Sequence, residues 1–264
     1  EIGLTSHNAA MHDCYVDELG GVNRRPGLTE LCDLGTAAGV DGLFWWKAQG
    51  MVLAVSNGDA FKVTAKEGTF AALTMTGTDF ETNARVTWAD FDTALYAANG
   101  AKVKKISTTE LIDMADEDAP TTVSHVAFLD KYLLMLETDT RRTWHSAVNA
   151  PDTHEGEYFS KDAQFDKLKA IAVSNLEAFL LGEATGENWY NDGTNPFSRL
   201  SQGFIQSGTI APHSLVYCDS VGTFLWLDHE RKVVMLNGRT PVTLSATMNK
   251  YIQGFSVVSD AQAD

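Results

Sequence analysis

The chain has 264 residues, 44% of them hydrophobic and 21% charged, and its 20 basic and 35 acidic side chains give a formal charge of −15. That balance excludes a dedicated reader of nucleic acid, which needs a basic face to exchange for counterions. It leaves room for a surface that DNA slides past, because like charge prevents sticking.

No apolar run reaches the roughly 18 residues of a membrane span. Cys14, Cys32 and Cys218 are too few and too scattered for a disulfide framework, so three reduced thiols are expected. The opening residues Glu1 to Thr5 lack the basic start and apolar core of a signal peptide. They also lack an initiator Met, which points to a processed or trimmed start.

Residues 1–35 are polar and irregular, and they read as an arm that joins a sheet domain over residues 36–264. Arg24 and Arg25 stand out in so acidic a chain. A solvated turn and a salt-bridged or subunit-contact role are both open readings of them.

The first repeat then runs Leu43–Trp46, a turn at Ala48-Gln49-Gly50, Met51–Val55, and Ala60–Thr64 after Asn57-Gly58. Asn-Gly tolerates the positive φ angles of a type I′ turn and is a strong hairpin signal. The second repeat is Arg85–Phe91, Ala94–Ala98 and Ala101–Ile106, again with Asn-Gly before its third strand. Glu110–Asp118 reads as a short helical turn with a solvated acidic end.

The third repeat is Thr122–Phe128, Tyr132–Leu136 and Arg142–Val148. The fourth, Leu168–Tyr190, is the clearest: two apolar runs around the turn-like Ser174–Glu177, then a strand alternating polar and aromatic residues. Leu176–Leu181 contains good helix formers, but the turns on either side favour strands. The fifth repeat is Ser214–Asp219, Thr223–Leu227 and Val233–Leu236, closed by Asn237-Gly238.

First-turn positions near residues 50, 92, 130, 175 and 221 are spaced close to the roughly 40–50 residues of propeller blades. A single meander cannot bury both of its faces, so such units pack around a common axis. The expected fold is all-β and β-propeller-like, with about five meander blades; a sandwich or two small barrels are the alternatives.

The six tryptophans fall on predicted strands and are expected between blades rather than on a sugar platform. His154, Glu155 and Glu157 are the first residues to check for a metal, although their loop reads more simply as surface. No zinc-protease pair, nucleophile elbow or phosphate-binding loop occurs in the sequence, and no catalytic residue, cofactor or metal is expected. A carbohydrate-binding or glycoside-cleaving propeller is the second functional class, which would need carboxylates at the axial mouth.

The order of several short motifs adds to this reading. They are Arg24-Arg25-Pro26-Gly27-Leu28, Val123–Asp130, Thr143–Ala147, Tyr158–Ser160, Leu168–Tyr190, Pro196–Arg199, Gly208–Ser214, Trp226-Leu227 and Asn237-Gly238. Over residues 20–260 they resemble the packaged-DNA stabilisation family of short-tailed bacteriophages, also called tail hub or nozzle proteins.

The resemblance implies a structural virion protein, not an enzyme. It implies a homo-oligomeric ring, usually of six subunits, beneath the portal and its adaptor ring, bearing the distal tail parts. Packaged double-stranded DNA would pass through without sequence-specific binding, and no membrane would be involved. The family's propeller is built on a longer chain, so a piece of a larger propeller is expected here. Acidic loops are expected to face the channel, with Arg24, Arg25, Lys104 and Lys105 at subunit contacts.

Overall fold

The structure is a computed structural model that describes residues 14–16, 21–24, 30–66, 69–91, 94–193 and 196–263. A two-stranded hairpin pairs Cys14–Val16 with Val22–Arg24. Five sheets follow in chain order, each built around an antiparallel meander of four consecutive strands.

Blade 1 is Val40–Trp46, Met51–Ser56, Asp59–Lys66 and Thr69–Thr74. Blade 2 is Thr87–Phe91, Ala94–Ala98, Lys104–Ile106 and Glu110–Asp113, with Thr76–Gly77 added in parallel to its outer edge. Blade 3 is Val123–Leu129, Tyr132–Glu137, Arg142–His145 and Tyr158–Ser160. Blade 4 is Leu168–Ser174, Glu177–Gly182, Gly186–Asn191 and Phe197–Ile205. Blade 5 is Val216–Cys218, Thr223–Leu227, Val233–Asn237 and Thr240–Thr243, and the short helix Asn249–Gln253 follows it.

The second strand of each middle blade explains why the sheets assemble in a ring. Successive side chains on a strand point to opposite faces. Leu95 and Ala97 accordingly pack towards blade 1, and Tyr96 and Ala98 towards blade 3. Leu133 and Met135 face blade 2, while Leu134 and Leu136 face blade 4. Ala178 and Leu180 face blade 3, and Phe179 and Leu181 face blade 5. A strand buried on both faces reads as a continuous apolar run, which is why ALYAA, YLLML and AFLL carry no polar alternation.

The first strands of successive blades approach one another and form the inner wall. Blades 1 to 5 are thus joined by four shared cores. Among the described residues no such core joins blade 5 to blade 1, so the ring is open there. The outer face of blade 5 is instead capped by the chain's end, where Leu227 packs with Ala211 and Val258. Beyond that cap, the Arg85 side chain donates to Gln262 Oε1 and the Ala263 N–H to the His213 carbonyl at 3.1 Å.

Three sequence expectations change. Glu110–Asp113 is a strand, not a helical turn, because its alternation places Leu111 in the core between blades 1 and 2. Each repeat also holds a fourth strand beyond the three expected. Asn99-Gly100 makes no tight hairpin either. The Asn99 side chain donates to the Glu81 carbonyl at 2.8 Å, and the Gly100 N–H donates to the Val123 carbonyl at 2.7 Å. That dipeptide is used to tie blade 2 to blade 3.

Candidate functional site

Of the four candidate contact residues, Arg24 is exposed at the end of the strand Val22–Arg24, and Arg25 lies outside the described residues. Lys104 is only 4% exposed. Its ammonium is bonded to Asp113 Oδ1 at 2.5 Å and to Thr78 Oγ1 at 3.0 Å. Although burial pushes the Asp113 carboxyl up, Lys104 and Thr78 hold it below the usual carboxylate range. Lys105 is half-buried and paired with Asp152, which also accepts the Tyr96 hydroxyl at 2.9 Å. Burial, reinforced by that acceptor, raises the Tyr96 pKa. The Lys104 charge is therefore internal to blade 2, and Lys105 is its surface neighbour.

His154 is buried rather than on the surface. Its Nε2 lies 3.0 Å from Met114 Sδ and its Nδ1 3.4 Å from the His145 carbonyl. Burial lowers its pKa. Glu155 and Glu157 are exposed, and Glu157 reaches His145 Nε2 at 3.7 Å. Among the described residues no group of three or more His, Cys, Asp or Glu has metal-holding geometry.

The tryptophans lie on strands as expected, and four of them anchor blades through their indole N–H. Trp46 donates to Asp90, Trp144 to Glu137, Trp189 to Glu187 and Trp226 to the Gly208 carbonyl, all at 3.1–3.2 Å. Buried Trp needs such a partner for its polar end. Trp45 differs: with Leu43 it is more than half exposed, on the face of blade 1 turned away from blade 2.

The inner strands leave a cavity of about 300 Å³ at one end of the axis, lined in part by Arg85, His125, Thr138, Asp139, Lys169 and His213. His125 comes from the first strand of blade 3 and His213 from the 3₁₀ turn before blade 5. Their rings stack with centroids 5.0 Å apart and planes inclined by 22°. Burial pushes the His125 pKa down to about 3, His213 adds to the fall, and a contact with the Pro212 carbonyl opposes it. That contact falls short of normal hydrogen-bond geometry, and neither ring nitrogen has a partner. Burial and the Arg85 cation lower the His213 pKa to about 4.

In the sequence the seven histidines look merely scattered. The one available signal is a histidine inside the mostly apolar strand VSHVAFL.

Four four-stranded sheets and one five-stranded sheet, with the first strand of each meander innermost, define a β-propeller, open among the described residues between its last and first blades. One solved structure agrees at the level of fold. The WD40 β-propeller domain of Doa1 matches with a TM-score of 0.51 at 12% identity, over 80% of this chain and 68% of that one.

Two larger bacterial proteins match at 12% identity with lower scores. The extracellular domain of the hybrid two-component system BT4673 from B. thetaiotaomicron gives 0.44 over 75% of this chain and 32% of that one. PorZ of the type-IX secretion system of Porphyromonas gingivalis gives 0.49 over 80% and 28%. The chain thus spans about a third of either. No curated protein matches the chain.

The family model described as Bacteriophage P22 Gp10, β-propeller, matches residues 11–259, and the chain belongs to that family. It is the packaged-DNA stabilisation family of phage structural proteins. No helix among the described residues is long and apolar enough to cross a membrane.

Proposed function

We propose that the protein is a tail hub, or nozzle, subunit of a phage virion. Copies form a ring, usually of six, below the portal and its adaptor, which helps retain the packaged genome and continues its exit channel. The observation that carries this reading is the family match across residues 11–259.

Two physical features support it. A formal charge of −15 per subunit keeps a channel wall from condensing onto phosphate, so exit is not slowed by breaking many ion contacts. The far field of such a ring is screened beyond roughly 8 Å at physiological salt, so repulsion acts only on DNA close to the wall. The protein acts without chemistry of its own, as a fitting between neighbours in the tail.

Arg24, Arg25 and Lys105 supply the basic side of the subunit contacts, with Lys104 fixed behind Lys105. The test is Arg24→Glu with Arg25→Glu, scoring ring formation by native mass spectrometry and genome leakage from assembled particles. The reading expects ring formation to fail first. Intact rings that leak DNA would mean that the arginines act on nucleic acid directly and would overturn the contact assignment.

A further inference from the structure

A hollow of about 210 Å³ lies beside the loop between the third and fourth strands of blade 3, lined by Tyr132, His145, Glu155, Glu157 and Pro196 among others. A second hollow of about 430 Å³ shares His145 and Glu157 with it. No lysine or arginine lines either one.

His145 sets the chemistry of this space. Its side chain is only 7% exposed, and Nδ1 lies 3.1 Å from the Ser146 carbonyl. A carbonyl can only accept, so Nδ1 carries the proton and the neutral ring presents a lone pair at Nε2. Nε2 makes no hydrogen bond, yet unlike the ring nitrogens of His125 it keeps accessible surface. Its neighbour, Glu157 Oε2 at 3.7 Å, is a second acceptor. Glu155 adds a further carboxylate, with no hydrogen bond or ion pair among the described residues.

Acceptors and negative charge around one space call for a ligand made of donors and positive charge. Among the described residues no set of three ligands gathers here for a metal ion, which points to an organic cation. Tyr132 supplies an aromatic wall, its ring set edge-on to His145 and Phe197 with centroids 5.8 and 5.2 Å away. A guanidinium is planar, packs on aromatic rings and offers its N–H groups as a fork. One such group can therefore serve Nε2 and Glu157 together, whereas an ammonium is a compact point charge.

We propose that this hollow binds a guanidinium group, which donates to His145 Nε2 and Glu157, lies against Tyr132 and is neutralised with the help of Glu155. The assignment stands on the hollow alone and does not depend on the virion role.

The test follows the His145 ring resonances of the native chain by NMR at constant ionic strength. The titrants are methylguanidinium, methylammonium and the peptide acetyl-Gly-Arg-Gly-amide. Saturable shifts are expected with methylguanidinium, bound about tenfold more tightly than methylammonium, the equivalent of one further charge-assisted hydrogen bond. Tighter binding of the peptide than of methylguanidinium would assign the site to an arginine of a partner protein. Equal binding would assign it to a free guanidino compound.

Glu157→Gln keeps the shape of an exposed side chain and should weaken methylguanidinium binding by about tenfold. Tyr132→Leu removes the aromatic wall and should weaken it by about threefold. Asp219→Asn, at an exposed acid beside blade 5, should leave the affinity unchanged. No saturable shift would overturn the proposal and leave a proton shared between Nε2 and Glu157 as the occupant. Equal affinity for methylammonium, or equal losses in Glu157→Gln and Asp219→Asn, would overturn it in favour of a diffuse attraction for cations.

Discussion

Leu176 adopts φ 62° beside Asn175 at φ 51°, in the turn between the first two strands of blade 4. Both angles belong to a type I′ hairpin, for which Asn-Gly is the favoured pair. An L-residue with a side chain is strained in that region by about 1–2 kcal/mol, and Leu176 is 68% exposed, so packing returns little. Leu176→Gly should therefore raise stability by about 1 kcal/mol, read as a higher denaturation midpoint, after allowing for glycine's greater freedom when unfolded. Four residues on, Leu180 is fully buried in the core between blades 3 and 4. Leu180→Ala should cost about 2–5 kcal/mol, the range for emptying a packed leucine site. If both changes moved the midpoint the same way, the assignment of turn and core within this hairpin would be wrong.

The blades themselves are punctuated by ion pairs that hold their hairpins in place. Lys161, 0% exposed, donates to Asp166 and, at 2.5 Å, to Thr185 Oγ1, while Asp166 Oδ2 accepts the Ala184 and Thr185 N–H groups at 2.9 and 3.1 Å. Burial alone would raise the Asp166 pKa, but Lys161 and these bonds hold it at about 2. The Arg141 guanidinium in turn donates to the Lys161 carbonyl at 3.0 Å. The cluster therefore fastens the end of blade 3 to the second hairpin of blade 4. Lys161→Met leaves the carboxylate without its counterion and should cost about 3–5 kcal/mol by chemical denaturation; a change below about 0.5 kcal/mol, as at an ordinary surface site, would refute a structural role. Such latches were not readable from sequence, because Lys161 and Asp166 look like any solvated loop charges. The central strands were readable: unbroken runs such as Tyr132–Leu136 can only be buried on both faces. The fourth strands were not, because Tyr158–Ser160 and Thr240–Thr243 are edge-placed and only three and four residues long, too short to display a hydrophobic period.

Across the whole molecule, the His125–His213 stack joins blade 3 to the approach to blade 5 past an intervening blade. The candidate contacts Arg24 and Arg25 were visible in the sequence as isolated basic residues, whereas this pair, 88 positions apart by numbering, needed the ring to bring it together. In the unfolded chain both histidines protonate near 6.5, but in the folded chain only near 3 and 4. The unfolded state then binds more protons throughout that interval, so stability is full above about 6.5 and falls as pH drops towards 4. The expected loss is on the order of 1 kcal/mol per pH unit for each histidine, measured by chemical denaturation. His125→Phe should flatten the slope between pH 6 and 4, on the order of half of this contribution. An unaltered slope would mean that the ring titrates alike in both states.

The tail hub role is tested most directly by electron microscopy of the native particle with this protein located in the density. The account predicts a ring of its copies directly beneath the portal and adaptor, with DNA or its exit path on the ring axis. Absence from that position, or from the particle altogether, would contradict it.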